Sequence, residues 1–479
     1  MDSLALAVAL PLLAALLATV WPARATLLGL LGALATAAAA LMVITEVWEH
    51  GQLSTALGGW DIPLGIALAA DGLSAALLAM TALVGLAISL YAAAYFDGRQ
   101  AMHFWPLWLL LWTALNGLFL AGDLFNLYVT LELLGLSAVA LGALGGDRAA
   151  VAASLRYLLV SLLGSISYLL GVVLLYTAHG SLDLARVAAA LQPGPVAAAA
   201  MTLMIGGLTM KAALFPLHFW LPPAHASAPA PVSAALSALV VKAAVYLILR
   251  LWLDLFAPLV TTGAAMLLGG LGAAAVIWGS WRALHAERLK LLAAYSTVAQ
   301  IGYLFLFPPL FQATPPGPGR DDLLAALVLM ILTHGFAKSA LFLAVGVIQK
   351  RSGHDRIAEL GGTAQRLPAT TFTLGLAGIA LIGLPPSGSF TGKWLLLNGA
   401  FASGQWGWIL VILTGTLMTA AYVFRVLSRA FNLEPTPPGF VTDARTELPA
   451  LLLAAIAAIG LGLAAAPLWP LLGGGEDGT

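Results

Sequence analysis

Residues 195–223 read PVAAAAMTLMIGGLTMKAALFPLHFWLPP, an apolar run with one charged residue, Lys211, near its centre. The run is long enough to cross the hydrocarbon core of a bilayer, which takes about 20 residues of α-helix. Pro216 removes a backbone donor and clashes with the preceding turn, so the helix should break shortly after Lys211. The stretch therefore predicts a broken membrane span that carries a charge inside the membrane.

The whole chain has the composition of a membrane protein. Of its 479 residues, 61% are hydrophobic and 9% are charged, whereas soluble proteins are roughly 45–50% apolar and about 25% charged. These values exclude a disordered protein and a water-soluble enzyme. The 21 basic and 21 acidic residues cancel, so net charge favours no nucleic-acid partner. With no cysteine, the chain cannot supply thiolate ligands to an iron–sulfur cluster or to structural zinc.

Apolar runs of about 20 residues recur along the chain and predict an all-α integral membrane protein with about 14 spans. They are too long and too uniformly apolar for a membrane barrel. The first run follows only Asp2 and lacks the basic start of a signal peptide, so we expect it to be a retained span. The polar stretches 48–66 and 350–368 are too small to be domains, so we expect one membrane domain, 1–479. The predicted spans are 3–21, 25–47, 67–92, 103–121, 123–143, 150–176, 195–220, 229–252, 258–281, 290–310, 322–349, 369–401, 406–431 and 447–471.

The basic residues predict the orientation of these spans. Three of them, Arg186, Arg250 and Arg320, lie near one set of alternating loops. Fourteen lie near the other set: Arg24, Arg99, Arg148, Arg156, Arg282, Arg288, Lys290, Lys350, Arg351, Arg356, Arg366, Arg425, Arg429 and Arg445. Because basic loops stay in the cytoplasm, both termini are expected to face outward from the cell membrane.

The remaining basic residues lie inside predicted spans, and they are Lys211, Lys242, Lys338 and Lys393. A lysine at the bilayer centre costs about 2.5–3.5 kcal/mol on insertion scales, so such residues face a wet interior, pair with another group or carry out a function. The alternative is that the ammonium groups reach the interface. Glu132 is a carboxylate deep in a span, whereas Asp71 and Asp123 fall nearer helix ends and are secondary candidates for proton transfer.

A second broken span resembles the first. Lys393 follows GLPPSG at 383–388, and the two broken spans, the seventh and the twelfth, are five spans apart. Because five is an odd number of spans, an internal repeat with this offset would be inverted in the membrane. Its two halves would cover about 103–252 and 258–431. Inverted repeats with discontinuous helices are an architecture of ion-coupled transporters. The alternative is a proline kink without function.

The residue types in these spans suit proton transfer. Burial lowers the pKa of a lysine and a nearby carboxylate raises it, so pairing with Glu132 can switch a lysine's protonation. Lys211 is the expected partner of Glu132. His334 lies one turn before Lys338 on the same helix face, while His218 and His225 flank the first break. His334 is as readily a hydrogen-bonded core histidine. His218 and His225 are secondary candidates, and one of them is expected to lie at the interface without a role. We find no phosphate-binding loop, nucleophile elbow or metal cluster, and bis-histidine haem ligation stays open. No cofactor or metal of its own is expected.

Several motifs together resemble the D-type subunits of Mrp sodium/proton antiporters, within the antiporter-like family of respiratory complex I and membrane-bound hydrogenases. The resemblance covers essentially the whole chain. Its motifs are GDLFNLYV at 122–129 followed by Glu132, KAALFPLHFWLP at 211–222, Val241-Lys242 with Val245-Tyr246, LKLLAAYS at 289–296, His334 with Lys338, and GLPP at 383–386 with Gly392-Lys393.

The resemblance implies roles for individual residues. Glu132 matches the family's fifth-span glutamate, Lys211 the lysine of the broken seventh span, and Lys242 the connecting lysine of the eighth. Lys393 matches the terminal charge of the broken twelfth span, which is Glu in some complex I members. His334 and Lys338 fall where the family has polar residues that join two half-channels. Gln300 stands where some members have His.

The resemblance also implies a function, namely a proton path through two inverted five-helix units in a subunit of a multisubunit complex. The expected partners are further membrane subunits and the lipid bilayer, with protons as the transported ion and sodium as a candidate. The host could be a Mrp-type antiporter, a membrane-bound hydrogenase or a complex I-like assembly with a redox-driven reaction. The residues alone would also allow a free-standing secondary transporter or a redox subunit with its own cofactor.

Overall fold

The computed structural model describes residues 2–58, 60, 65–433 and 443–465, and they are almost entirely helical. Twelve of the described helices are long and apolar enough to cross a membrane. Two shorter apolar helices, Pro195–Lys211 and Pro368–Ile382, occupy the positions of the seventh and twelfth predicted spans. An all-α membrane protein with about 14 spans, two of them broken, is therefore confirmed. The end of the last predicted span, beyond residue 465, lies outside the described residues.

The helices are numbered in chain order. They are α1 (Ser3–Val20), α2 (Ala25–His50), α3 (Gly72–Tyr95), α4 (Gly98–Leu120), α5 (Leu124–Gly142), α6 (Arg148–His179), α7 (Leu184–Ala190), α8 (Pro195–Lys211), α9 (Leu221–Ser227), α10 (Ala230–Ala235), α11 (Val241–Arg250), α12 (Thr262–Leu284), α13 (Leu289–Leu304), α14 (Phe307–Ala313), α15 (Pro318–Ser352), α16 (Thr363–Arg366), α17 (Pro368–Ile382), α18 (Gly388–Ala402), α19 (Trp406–Ala430), α20 (Ala444–Ala455) and α21 (Leu461–Leu463).

Shorter helical turns connect or extend several of these helices. The π-helical turns are Leu236–Val240, Leu251–Leu255 and Ile456–Gly460. The 3-10 turns are Pro22–Arg24, Ala143–Gly145, Leu217–Trp220, Ala257–Leu259 and Ile357–Glu359. Two of the π-helical turns extend α10 and α11, so that Ala230–Leu255 forms one membrane-length helix.

The chain divides into two compact units. Unit 1 comprises Met1–Ser89, Phe96–Ala213 and Leu239–Thr261, and unit 2 comprises Leu90–Tyr95, Leu214–Ala238 and Thr262–Thr479. The proposed inverted repeats over 103–252 and 258–431 stay a prediction.

A β-hairpin in unit 1 was not predicted. Strand β1 (Leu53–Leu57) pairs with β2 (Ile66–Ala70) in antiparallel register, from Leu53 opposite Ala70 to Leu57 opposite Ile66. The sequence predicts a loop over 48–66 and a span from 67, because a short apolar run does not distinguish a strand from a helix. Asp71 marks the boundary between β2 and α3, since its carboxylate accepts the Ser74 N–H at 2.9 Å and caps α3.

Each unit has a helix that is buried on most sides. In unit 1, the α4 indoles of Trp105, Trp108 and Trp112 are fully buried, and Trp108 Nε1 donates to Ser89 Oγ at 2.9 Å. In unit 2, α15 is buried along its membrane-length window, as expected for a helix that is apolar all round. Lys338 and His334 lie on this helix and are therefore held in the interior.

The tenth predicted span is interrupted near its end, although Leu289–Ala313 still forms one membrane-length segment. Residues 290–310 were expected to form one helix, but α13 ends at Leu304 and α14 begins at Phe307. Pro308 and Pro309 stand in the first turn of α14, where a missing N–H leaves no bond unmade. The same prolines could not continue α13, so they set the break.

Candidate functional site

The break in the seventh span lies where the sequence predicts it. α8 ends at Lys211, and Ala213 has a φ of 55°, in the left-handed region that ordinary residues seldom adopt. Pro216 restricts the residue before it to extended conformations, which stops the helix a few residues early. Lys211 is therefore the last residue of α8 and lies next to the break.

In unit 1, Lys211 is held by polar groups from two neighbouring helices. Its ammonium Nζ donates to Ser161 Oγ at 2.9 Å and to Leu131 O at 3.5 Å. Glu132 Oε1 lies 3.9 Å from the same nitrogen, and the exposed fraction is 7% for the Lys211 side chain and 20% for Glu132. The structure therefore brings Glu132 and Lys211 together as the ion pair expected from the sequence.

A glycine makes room for this ion pair. A Cβ atom on Gly135 would lie 2.6 Å from Ser161 Oγ and 3.5 Å from Lys211 Nζ. Since real Cβ atoms do not approach an oxygen that closely, any larger residue here must displace the serine that holds the ammonium. Gly135 is thus a positioning residue for Lys211.

Lys242 lies in unit 1 on α11 and is completely buried. Its helix packs against α8, which carries Lys211. Four and eight residues further along α11 are Tyr246 and Arg250, and the arginine is less buried than the lysine. The helix therefore carries polar groups from the interior of unit 1 towards its surface.

In unit 2, Lys338 contacts the middle of α13. Its Nζ donates to Ala293 O at 2.9 Å and makes a short contact with Ser296 Oγ. Both Lys338 and His334, one turn earlier, are buried in α15. The structure therefore places a buried ammonium against a hydroxyl and a carbonyl rather than against a carboxylate.

Lys393 lies at the second broken span, also in unit 2. Its Nζ donates to Ile382 O at 2.9 Å and to Thr416 Oγ1 at 3.1 Å, and it lies 4.5 Å from the centre of the Tyr303 ring. Ile382 is the last residue of α17, so the ammonium satisfies a carbonyl that the break leaves without a helical partner. Within the part of the chain that the structure describes, no carboxylate lies within 4.0 Å of this nitrogen.

Gln300 supports the same helix end. Its side-chain amide Nε2 donates to Leu381 O at 3.0 Å, so the last two carbonyls of α17 are held by Gln300 and Lys393. The Tyr422 side chain of α19 is fully buried, with Ser296, Gln300 and Thr419 facing its hydroxyl. Gln300, which the resemblance placed at a position that is His in some relatives, is here a positioning residue of the broken span.

The two secondary histidine candidates lie in unit 2 and stack on aromatic rings. His218 lies 5.5 Å from the Phe215 ring and His225 lies 4.7 Å from the Phe342 ring, measured between ring centres. Both are buried.

The two secondary aspartates are at helix starts in unit 1. Asp123 caps α5, where its Oδ1 accepts the N–H groups of Phe125 at 3.0 Å and Asn126 at 2.8 Å. Burial raises the pKa of Asp123 above its usual value, although these hydrogen bonds oppose the increase. Its geometry is that of a structural cap.

Asp71 caps α3 and forms an ion pair with Arg250. Burial alone would raise the pKa of Asp71, but the hydrogen bond and charge of Arg250 and the bonds from Ser74 outweigh it. The pKa of this carboxyl therefore lies below its usual value of 3.8.

Sequence reasoning missed several residues that hold these charges. Ser161, Ser296, Thr416 and Tyr303 give no local signal, because hydroxyl side chains are common in spans and often bond to their own helix. Lys290 was placed near a loop at the start of the tenth predicted span, and its side chain is buried, with Nζ donating to Ala228 O at 2.9 Å.

Comparisons with known proteins agree with the resemblance of the motifs. A family model described as NADH:quinone oxidoreductase/Mrp antiporter, TM, matches residues 121–419. The chain is 36% identical over 458 residues to the N subunit of NADH-quinone oxidoreductase from Desulforudis audaxviator, covering 92% of this chain and 88% of that protein. It is 29% identical to the D subunit of the Na(+)/H(+) antiporter from Bacillus subtilis, covering 81% and 78%.

A solved structure has the same fold. A chain in the structure of the Mrp complex from Dietzia sp. DQ12-45-1b matches with a TM-score of 0.89 at 27% sequence identity. The match covers 99% of this chain and 97% of that chain.

Proposed function

This chain belongs to the NADH:quinone oxidoreductase/Mrp antiporter family of transmembrane proteins, and we propose that it is the proton-translocating subunit of a multisubunit cation/proton antiporter. The Mrp-like resemblance of its motifs agrees with this family. The name of the Bacillus subtilis relative supports sodium as the exchanged cation.

The main support for the proposal is the ion pair of Lys211 and Glu132 at a break in a membrane helix. An isolated ammonium inside a membrane is costly, and a carboxylate favours its charged form. Moving the carboxylate towards or away from Lys211 would change which form is stable. The pair therefore has the chemistry of a switchable proton carrier.

We assign proton transfer to charged residues in both units. In unit 1 these are Glu132, Lys211 and Lys242. In unit 2 they are His334, Lys338 and Lys393, where hydroxyl and carbonyl oxygens take the place of a carboxylate at the two lysines. His218 and His225 are secondary candidates, whereas Asp71 and Asp123 serve as helix caps in this assignment.

The proposed environment is the cell membrane, with both termini outward and the basic loops in the cytoplasm. Large apolar side chains on α2 are more than half exposed, including Leu27, Leu31 and Leu34. Such a surface suits lipid or another membrane subunit. We propose that the partners are further membrane subunits, because the matched chain from Dietzia sp. is part of a Mrp complex.

A second candidate is a proton-pumping membrane subunit of a complex I-like oxidoreductase or a membrane-bound hydrogenase. It is favoured by the relative from Desulforudis audaxviator, which is named an NADH-quinone oxidoreductase subunit and is matched over 92% of this chain. The membrane chemistry of the two candidates is the same, and the driving force differs.

Transport by the intact complex distinguishes them. The complex is purified through an affinity tag on this chain, reconstituted into vesicles with a pH-sensitive dye inside, and given a sodium gradient without any reductant. An antiporter moves protons under these conditions, whereas a complex I-like pump moves them only when a reductant and a quinone are supplied. Proton movement by this chain purified alone would contradict both assignments and favour a free-standing transporter.

A further inference from the structure

Unit 1 contains a cavity of about 630 Å³ that the proposed proton carriers do not line. The hairpin, α7, the start of α3 and the end of the helix that contains α11 form its walls. Since water takes about 30 Å³ per molecule in the liquid, the cavity has room for on the order of twenty waters. Its charged wall residues are Asp71, Asp183, Arg186, Arg250 and Asp254.

Arg250 contacts several of the polar residues that line this cavity. Arg250 forms a short ion pair with Asp71, and its Nη2 also donates to Ser74 Oγ at 3.2 Å. Its Nη1 donates to Asp254 Oδ2 at 3.3 Å, and its Nε donates to the Tyr246 hydroxyl at 3.1 Å. The guanidinium therefore connects α11 with the start of α3.

Tyr246 lies one helical turn before Arg250 in α11. Its hydroxyl donates to Phe119 O at 3.1 Å and is 3.3 Å from Ser74 Oγ, while its ring packs edge-on against Phe119. The tyrosine is almost fully buried. Its side chain therefore occupies the space next to the Arg250 ion pair, on the side towards Lys242.

Lys242, Tyr246 and Arg250 follow one another at intervals of four residues on α11. Residues so spaced lie on one helix face, about 6 Å apart along the axis. The face thus runs from the fully buried lysine, past the tyrosine, to the arginine at the cavity. Along this face, Tyr246 and the Arg250–Asp71 ion pair lie between the cavity and Lys242.

We propose that this cavity is the aqueous access to Lys242 from one side of the membrane, and that Tyr246 with the Arg250–Asp71 ion pair is the gate that closes it in this structure. The inference rests on the proposed role of Lys242 as a proton carrier, since water that reaches this lysine could deliver or accept its proton. An ion pair at the edge of a water-filled cavity can separate because water replaces the lost contact. Displacing Tyr246 then connects the cavity with the lysine.

Cysteine labelling tests the access route without depending on transport. The chain has no cysteine, so single-cysteine variants of the intact complex report one position each. The variants are Lys242→Cys, Ala243→Cys on a different face of the same buried helix, and Ala185→Cys, an exposed cavity residue that identifies the side. A membrane-impermeant methanethiosulfonate is added to one side of oriented vesicles at a time.

Opening the gate should expose Lys242→Cys. We expect Asp71→Asn, which removes the charge but keeps the shape, to increase its labelling rate at least fivefold, from the side that labels Ala185→Cys. Asp254→Asn removes the same charge from a more exposed partner of Arg250 and should change the rate less than twofold. Ala243→Cys should stay unlabelled. Tyr246→Ala should open the route without changing any charge.

Specific results would overturn the proposal. They are an unlabelled Lys242→Cys in both the Asp71→Asn and Tyr246→Ala backgrounds, equal rates with Asp254→Asn, or labelling from the side opposite to Ala185→Cys. Because labelling needs no proton flux, failure of the access route can be distinguished from failure of the carrier role. If the gate variants expose position 242 but Lys242→Arg transports normally, the access route stands and the carrier role is wrong.

Discussion

Glu132→Gln should leave the complex assembled but strongly reduce proton flux. Glutamine keeps the length and hydrogen-bonding capacity of the side chain and removes the negative charge that faces Lys211. The hydrogen bond from Lys211 to Ser161 at 2.9 Å does not involve Glu132, so the lysine should keep its place. The variant therefore isolates the electrostatic part of the contact.

The distance between Lys211 Nζ and Glu132 Oε1 gives the size of the expected change in flux. Two unit charges 3.9 Å apart attract each other by about 4 kcal/mol at an effective dielectric constant of about 20. Glu132 keeps 20% of its side chain exposed, so screening by water reduces the attraction to roughly 2 kcal/mol. That energy changes the balance between charged and neutral Lys211 by roughly 30-fold. We expect proton flux to fall at least tenfold.

The assay compares proton flux into dye-loaded vesicles that contain equal amounts of assembled complex. Glu49→Gln is the matched control, because Glu49 is an exposed glutamate near the end of α2, and it should retain the wild-type flux. Assembly is checked by co-purification of the other subunits. If the Glu132→Gln complex assembles and its flux stays within twofold of the wild type, the ion pair is not part of the proton path.

Three further predictions test other contacts. Lys242→Arg keeps a positive charge but cannot release a proton, so flux measured across a pH series should fall at least tenfold, and wild-type flux would show that any cation serves. Gly135→Ala would place a Cβ 2.6 Å from Ser161 Oγ and should reduce flux several-fold in the vesicle assay, whereas Gly206→Ala in α8, which has open space, should not; equal effects would refute the positioning role. The pKa of Asp71 is lowered in the folded chain from its usual value of 3.8, so its contribution to stability is present above about pH 3.8 and is lost as the pH falls through the folded pKa. The thermal unfolding midpoint of wild-type protein in detergent should therefore exceed that of Asp71→Asn at pH 6 and approach it at pH 3, and a constant difference would contradict the ion pair's contribution.

The sequence predicted the spans and the buried charges because both depend on local chemistry. A run of apolar residues must leave water, and a proline removes a backbone donor from the helix that contains it, wherever the rest of the chain lies. Lys211 and Lys393 could therefore be located at helix breaks from the residues alone. The pairing of Lys211 with Glu132 was also expected, because a carboxylate deep in a span is rare and needs a partner.

Other features depended on contacts between distant segments. Thr416 bonds to Lys393, whereas Thr419, three residues later, bonds to Gly415 O at 2.7 Å in its own helix. Nothing in the local sequence distinguishes these two threonines. The hairpin of 53–57 and 66–70 was missed because its second strand merges with the apolar run of α3. The ion pair of Arg250 with Asp71 joins residues far apart in sequence and needed the fold to be seen.

The role of charges buried in the membrane is tested most directly by comparing two buried lysines with an arginine at a helix start. Lys211→Ala and Lys393→Ala remove ammonium groups at the two broken spans, whereas Arg320→Ala removes a charge from the first turn of α15, at the end of that membrane-length helix. Proton flux is measured for each assembled complex in vesicles under the same gradient. We predict at least a tenfold loss for both lysine variants and flux near the wild-type level for Arg320→Ala. Equal flux in all three complexes would contradict the claim that charges buried in the membrane carry the proton.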